Sequence, residues 1–432
     1  MLTQNDKGTH PGDMRNSMEE SETMIKRIDG GITAPKGFLA AGLRAGIKPG
    51  KTNKDMAMIY SEVPATVAGT FTRNRVTAAP VQWDRKIVEE QETAQAVVVN
   101  TGIANAATGA EGLKNSELTA EEAGKVLRLP KEQVLVASTG VIGFQLPMDV
   151  ILEGVSKLAP ELSHSRQSAL DAAEAILTTD THKKEIAVEF TVGGVTCTMA
   201  GMSKGSGMIH PNMGTMLCFI STDAAIDKGL LQRKLREVVD ETYNMVSVDG
   251  DTSTNDTVLV LANGKSGAPK IETEGRDLDS LTEALTEICT YLAKQTAQDG
   301  EGATRLFTAH VTGAPDRETA RTLAKAIITS NLTKAAIFGK DANMGRLLCA
   351  MGYSGAEYDT SLVDVTMCSK AGSIKLVTGG CMPEFSEEEA LRILEPEEIT
   401  AEVELHQGEV EATAWGCDLT YDYVKINADY RS

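Results

Sequence analysis

The sequence predicts a mixed α/β fold, with hairpins and helices layered together and no simple parallel sheet. Two observations carry this. β-Branched runs alternate with amphipathic helical stretches, and a Gly193-Gly194 pair joins two strand-like runs as a tight hairpin. In order, AVVVN at 96–100 and QVLVAS at 133–138 read as short strands. Between them a helix is expected, with Thr119 as N-cap, Glu122 closing a capping box and Pro130 beyond its end. Residues 165–177 form the next helix, and IAVEFTV and VTCTMA flank the glycine pair. MLCFIS, from Met216, reads as a buried strand. Helices follow at 228–240, 279–296 and 316–329; in the second, Leu281, Leu285, Ile288 and Leu292 share one face. DTVLVLA at 256–262 and LVDVTMC at 362–368 are strands, whereas FLAAGLRA at 38–45 does not read as one. No internal repeat or low-complexity linker interrupts the pattern.

The 432 residues exceed one small core, so two intertwined lobes are expected. Aromatics are only 4%, which leaves Val, Ile, Leu, Ala and Met to fill the interior. A net charge of -19 argues against nucleic acid as a partner, and an anionic substrate must be held by a local cation. Seven cysteines, an odd number without a CxxC pair, fit buried free thiols in a reducing cytoplasm. No run of 18 apolar residues suggests a membrane span. Residues 1–23 are polar and pattern-free, and read as a disordered N-terminal extension.

KGSGMIHPNMGTML at 204–217 concentrates the chemistry. A glycine-rich turn with one lysine leads through a proline to Gly214-Thr215 at the mouth of a buried strand. Cleavage between Gly214 and Thr215 would place a free α-amine beside the Thr215 hydroxyl, a nucleophile with its own base. Other motifs are weaker. AGIKPGKT at 45–52 has Ala45 where a P-loop needs glycine, so a turn is expected there. VDGDTSTNDT at 248–257 fails as a calcium loop, because its sixth and twelfth positions hold Thr254 and Val260; a turn shaping the site is favoured. The histidines lack zinc spacing, no metal site is expected, and His210 reads as an ordinary loop histidine. ASTGVIG at 137–143 could build an oxyanion hole from the Thr139 hydroxyl and the Gly140 amide, or be a plain strand exit. LTTDT at 177–181 offers hydroxyls that cap a helix or meet a ligand, and Glu301 in DGEGATR is solvated or ligand-facing.

Taken together, these segments resemble the glutamate N-acetyltransferase / ornithine acetyltransferase family of arginine biosynthesis. GGITAPKGFLAAGLRAGIK, NTGIANAATG and the terminal NADYRS extend the likeness over nearly all residues from about 24 onward. The resemblance implies an αββα-type sandwich like that of N-terminal nucleophile hydrolases, in a different topology. It implies self-cleavage into residues 24–214 and 215–432, which stay folded together and pair into a heterotetramer. Many relatives have Ala at the position of Gly214; glycine widens the torsions at the scissile carbonyl, so cleavage should survive. Thr215 becomes the nucleophile, Thr139 and Gly140 the oxyanion hole. Substrate contacts fall on Thr178, of the Thr178-Thr179 pair, and on Lys204, Thr215, Glu301, Asn427 and Ser432.

The implied reaction is ping-pong. Thr215 takes the acetyl group of N-acetylornithine, ornithine departs, and the amine of glutamate collects the acetyl group. No cofactor is implied, although some members also accept acetyl-CoA as a donor substrate. An α-amine with a pKa of about 7.8 is roughly one-seventh neutral at pH 7, so it is a better base than a lysine near 10.4. Lys204 suits the shared α-carboxylate, and Glu301 the side-chain ammonium of ornithine. A hydrolytic alternative, an N-terminal nucleophile amidase or aminopeptidase, would use water as acceptor on the same architecture.

Overall fold

The computed structural model describes residues 25–48, 50, 52–210 and 216–429. The 1–23 extension, the Gly214-Thr215 pair and Ser432 lie outside the described residues. In chain order the elements are β1 (Lys26–Ile28), β2 (Phe38–Leu43), β3 (Met56–Phe71), α1 (Ala79–Glu90), β4 (Thr93–Ile103), α2 (Gly109–Leu127), β5 (Val134–Val141), α3 (Met148–Glu161), α4 (Arg166–Ala175), β6 (Lys184–Val192), β7 (Val195–Lys204) and β8 (Leu217–Thr222). Then come α5 (Lys228–Glu241), β9 (Val246–Ser247), β10 (Thr257–Ala262), α6 (Arg276–Gln298), β11 (Leu306–Ala314), α7 (Arg317–Thr329), α8 (Asn331–Gly339), α9 (Met344–Gly352), β12 (Asp364–Ser369), β13 (Gly372–Val377), α10 (Glu387–Leu394), β14 (Glu398–Glu404), β15 (Val410–Cys417) and α11 (Tyr421–Asp429).

Among the described residues, one sheet runs β1-β6-β7-β8-β10-β3-β4-β5, with β2 also on β3. β4 takes one edge of β3, while β2 and β10 share the other, at residues 56–61 and 66–71. The β3–β4 register slips between Tyr60 and Ala65, around Pro64, which has no N–H for the ladder. The sheet thereby divides into two halves that face each other. Ile59, Val97 and Leu135 of one half share a core with Leu217, Phe219 and Leu259 of the other. The alternate residues point outward. Met58, Val98 and Val136 pack with Ile151 and Val155 of α3, and Cys218, Ile220 and Val260 pack with Leu231 of α5 and Leu285 and Ile288 of α6. The order helix, sheet, sheet, helix is the expected αββα layering.

The far side of α6 meets β9, β11 and β15 of a second sheet, ordered β13-β12-β14-β11-β15-β9. Because β9 lies between β8 and β10 in sequence yet pairs with β15, the two lobes share chain.

Several expectations need correction. α2 begins at Gly109, ten residues before the expected cap, and the Thr119 hydroxyl donates to Asn115 O at 2.8 Å inside the helix. FLAAGL is a strand, β2, with Phe38 and Ala40 buried against α4. Buried thiols are only part of the cysteine picture, for Cys349 and Cys381 are exposed. The Gly193-Gly194 hairpin, the helices near 165, 228, 279 and 316, and the buried strand after Met216 stand where the pattern places them.

Candidate active site at the mouth of the buried strand

All six residues of β8 are buried. Its first residue, Leu217, lies opposite Lys204 of β7 and beside Thr257 of β10. The Thr257 N–H donates to Met216 O at 3.0 Å and fixes the strand's entry. The described chain resumes at Met216, one residue after Thr215, and Leu217 follows opposite Lys204.

Lys204 is 8% exposed, and its Nζ donates to Thr139 Oγ1 at 3.2 Å. Burial lowers the Lys204 pKa; Asp180, Asp256 and Glu301 oppose that effect, while Lys184 adds to it. Since the ammonium donates to the Thr139 oxygen, the hydroxyl proton is left to point elsewhere, as an oxyanion donor must. Near the end of β5, Thr139 and Gly140 lie alongside Thr101 and Gly102 of β4. Gly140 has φ of +133°, and a Cβ there would stand 2.3 Å from the Gly102 carbonyl carbon. Glycine is required at that point both for torsion and for space.

The VDGDTSTNDT turn braces this exit. Asn255 Nδ2 donates to Ser138 O at 2.8 Å and to Ala104 O at 2.6 Å. Asp249 accepts the Met208 and Ile209 N–H groups at 2.6 and 2.9 Å, and Thr252 Oγ1 donates to His210 O at 2.8 Å. The turn holds residues 208–210, the segment that leads toward Gly214-Thr215 in the sequence. His210 Nδ1 lies 3.1 Å from Ser247 Oγ; burial, then the Lys325 charge, brings its pKa down to about 4, so the ring is neutral. The P-loop near-miss has its own anion. The Asp55 carboxylate accepts the N–H groups of Ala45, Gly46 and Ile47 at 2.6, 3.1 and 2.8 Å. Those three amides already serve a carboxylate and are not free for a phosphate.

Glu301 and Asn427 meet directly: Asn427 Nδ2 donates to Glu301 Oε2 at 2.8 Å. The Glu301 N–H donates to Ser206 O at 3.0 Å, and Gly207 lies so close that a Cβ would approach the Glu301 carboxyl carbon to 2.3 Å. The Thr178 N–H donates to Asp180 Oδ2 at 3.1 Å, and Asp180 Oδ1 accepts the Gly205 N–H at 2.7 Å. Thus Thr139, Gly140, Thr178, Lys204, Glu301 and Asn427 converge from five separated stretches. A cleft of about 760 Å³ lined by Thr181, His182, Gly302 and Lys425 opens next to them, without including Lys204 or Thr139.

Sequence reading missed Asp180, Lys184 and Asp299. Lys184 is buried, and its Nζ donates to Asp180 Oδ1 at 2.7 Å and to Asp299 Oδ2. Two of the three sit inside motifs already singled out, LTTDT and DGEGATR, but a pairing across more than a hundred residues leaves no local trace. Among the described residues, no cluster of three or more His, Cys, Asp or Glu could hold a metal ion. None of the described helices is long and apolar enough to cross a membrane.

A family model for the ArgJ family matches residues 39–432. The chain belongs to the ArgJ family. It is 50% identical over 406 residues to the arginine biosynthesis bifunctional protein ArgJ of Symbiobacterium thermophilum, covering 94% of this chain and 99% of the relative. The protein of the same name from Caldanaerobacter subterraneus is 48% identical over 405 residues, with the same shares covered. Two crystal structures are also similar. The Bacillus halodurans ArgJ structure shares 40% identity over 45% of this chain and 98% of its own, with a TM-score of 0.42. The Mycobacterium tuberculosis ornithine acetyltransferase complexed with ornithine shares 37% identity over 45% of this chain and 100% of its own, with a TM-score of 0.41. The family match, over residues 39–432, includes every candidate site residue from Thr139 to Ser432.

Proposed function

We propose that this chain is an acetyltransferase of arginine biosynthesis that moves the acetyl group of N-acetylornithine to glutamate, yielding ornithine and N-acetylglutamate. The observation that carries this reading is the Lys204–Thr139 hydrogen bond at the mouth of β8. It supports a cation for the substrate carboxylate and an oxyanion donor beside the same strand. Membership of the ArgJ family and relatives of about half identity that bear an arginine-biosynthesis name support the substrate class.

The chain cleaves itself first. The Thr215 hydroxyl attacks the Gly214 carbonyl carbon, the acyl group passes from nitrogen to oxygen, and water hydrolyses the ester. Residues up to 214 become one chain and residues 215–432 the other, and both contribute to one pocket. In turnover, the freed Thr215 amine accepts the hydroxyl proton as the oxygen attacks the acetyl carbonyl. The Thr139 hydroxyl and the Gly140 N–H hold the oxyanion, at about 3 kcal/mol per donor. Nitrogen leaves with a proton as ornithine, and an acetyl-threonine ester remains. The amine of glutamate then attacks that ester, and Thr215 recovers its proton. Lys204 holds the α-carboxylate, while Glu301, oriented by Asn427, holds the side-chain ammonium. Thr178 and Ser432 complete the substrate contacts. No cofactor is required, and pairs of the two chains assemble as a cytoplasmic heterotetramer.

Incubation with N-acetylornithine and glutamate tests the reading. N-acetylglutamate should form in step with ornithine. Free acetate in place of N-acetylglutamate would mark the enzyme as a hydrolase. Replacing N-acetylornithine with acetyl-CoA shows whether a second donor is used.

A further inference from the structure

Three chain segments carry proposed substrate residues, and one buried ammonium joins them. Lys184, 1% exposed at the start of β6, donates to Asp180 and Asp299 together. Asp180 reaches the other two partners: Oδ1 also accepts the Gly205 N–H, next to Lys204, and Oδ2 accepts the Thr178 N–H. Asp299, at the end of α6, accepts both the N–H and the hydroxyl of Thr181. Its carbonyl accepts Ser206 Oγ at 2.6 Å, and Ser206 O in turn accepts the Glu301 N–H. Thr178, Lys204 and Glu301 are thus each bonded to this cluster or within two residues of a group that is.

The charges favour a rigid arrangement. Burial would raise the Asp180 pKa, but the Lys184 and Lys204 charges and the bonds from Lys184 and Gly205 outweigh it and hold the carboxylate ionised. Within the cluster the Lys184 ammonium is bonded to two carboxylates, and the Lys204 charge also bears on Asp180. Fully bonded buried ions of this kind hold position, and removing one partner strands the others.

We propose that the Lys184–Asp180–Asp299 triad fixes the distance between Lys204 and Glu301, and so sets the length of diamino acid the site accepts. The inference rests on the acetyltransferase reading, in which Lys204 takes the α-carboxylate and Glu301 the distal ammonium. All three members are positioning residues, since each acts through the segment it holds.

Asp180→Asn is the direct test. An amide has one oxygen, whereas Asp180 accepts on both, so either the Thr178 or the Gly205 N–H faces an NH2 group and must shift. The variant is compared with wild type on N-acetylornithine, on Nα-acetyllysine, one methylene longer, and on the acetylated diaminobutyrate one methylene shorter. One methylene is worth about 10- to 200-fold in a shaped pocket. The variant should show a KM for N-acetylornithine about tenfold higher, kcat within about threefold of wild type, and a length preference narrowed at least about fivefold. Asp299→Asn, which loosens the Glu301 side, should show the same pattern and serves where Asp180→Asn folds poorly. Wild-type KM and wild-type length preference in a folded variant, even with a lowered Tm, would reduce the triad to a folding pin and overturn the proposal. Lys204→Met separates the two readings: if it too leaves KM unchanged, the assignment of the pocket fails before the triad does.

Discussion

Thr139→Ala isolates one oxyanion donor. Lys204 Nζ donates to the Thr139 oxygen at 3.2 Å, so the hydroxyl proton is not given to this neighbour and, in the proposed mechanism, goes to the reacting carbonyl. Alanine deletes that proton and keeps the strand. A single oxyanion donor is worth about 3 kcal/mol, which lowers kcat about 150-fold. The structural cost is smaller. Thr139 is only half-buried, and one hydrogen bond from a buried lysine is lost, about 2 kcal/mol of stability. KM should change little, because the donor works on charge that develops after binding. Steady-state rates with N-acetylornithine and glutamate measure the effect, normalised to the cleaved fraction seen on a denaturing gel. Thr139→Ser, which keeps the hydroxyl, should recover most of the rate. A fall of less than about threefold with alanine, or equal rates for alanine and serine, would refute the role assigned to this hydroxyl.

Gly207→Ala should act as a remote version of losing Glu301, because its Cβ would stand 2.3 Å from the Glu301 carboxyl carbon. The KM for N-acetylornithine should rise about tenfold while that for glutamate, which has no side-chain ammonium, changes less; parallel changes in both would contradict the assignment. His210 predicts an acid-sensitive term. Its pKa falls from 6.5 to about 4, chiefly through burial, so the stability it contributes is complete above about pH 6.5 and is lost as pH falls through about 4. The Tm of wild type should drop more steeply from pH 7 to pH 4.5 than that of His210→Gln, and superimposable Tm profiles would remove His210 from the account.

How much of this was legible in the sequence depends on the range of the interaction. The hairpin at Gly193-Gly194 and the face shared by Leu281, Leu285, Ile288 and Leu292 are local patterns, and both appear in the fold. β3 was hidden because Pro64 and Gly69 break its apolar run. Its ladder tolerates the proline only because the register slips there and because β2 and β10 divide one edge, which is a tertiary circumstance. α2 was read as starting at Thr119 because a threonine three residues before Glu122 imitates a cap, yet that hydroxyl bonds back to Asn115. In the site, Thr139, Lys204 and Glu301 were marked by their glycine-rich surroundings. The aspartates beside them were overlooked, since acidic residues in turns usually bond their own backbone. Asp180 does bond locally, to Thr178, but its second oxygen reaches Lys184 and Gly205, and only the fold shows that.

The central claim is that a terminus made by cleavage activates Thr215. Intact-mass spectrometry, coupled to N-terminal sequencing of the same active sample, tests it most directly. Two chains should appear, one ending at Gly214 and the other beginning Thr-Met-Leu-Cys-Phe, and acetyl-labelled substrate should leave its mass on the second. Full activity in a preparation holding only the uncut 46.0 kDa chain would contradict the account.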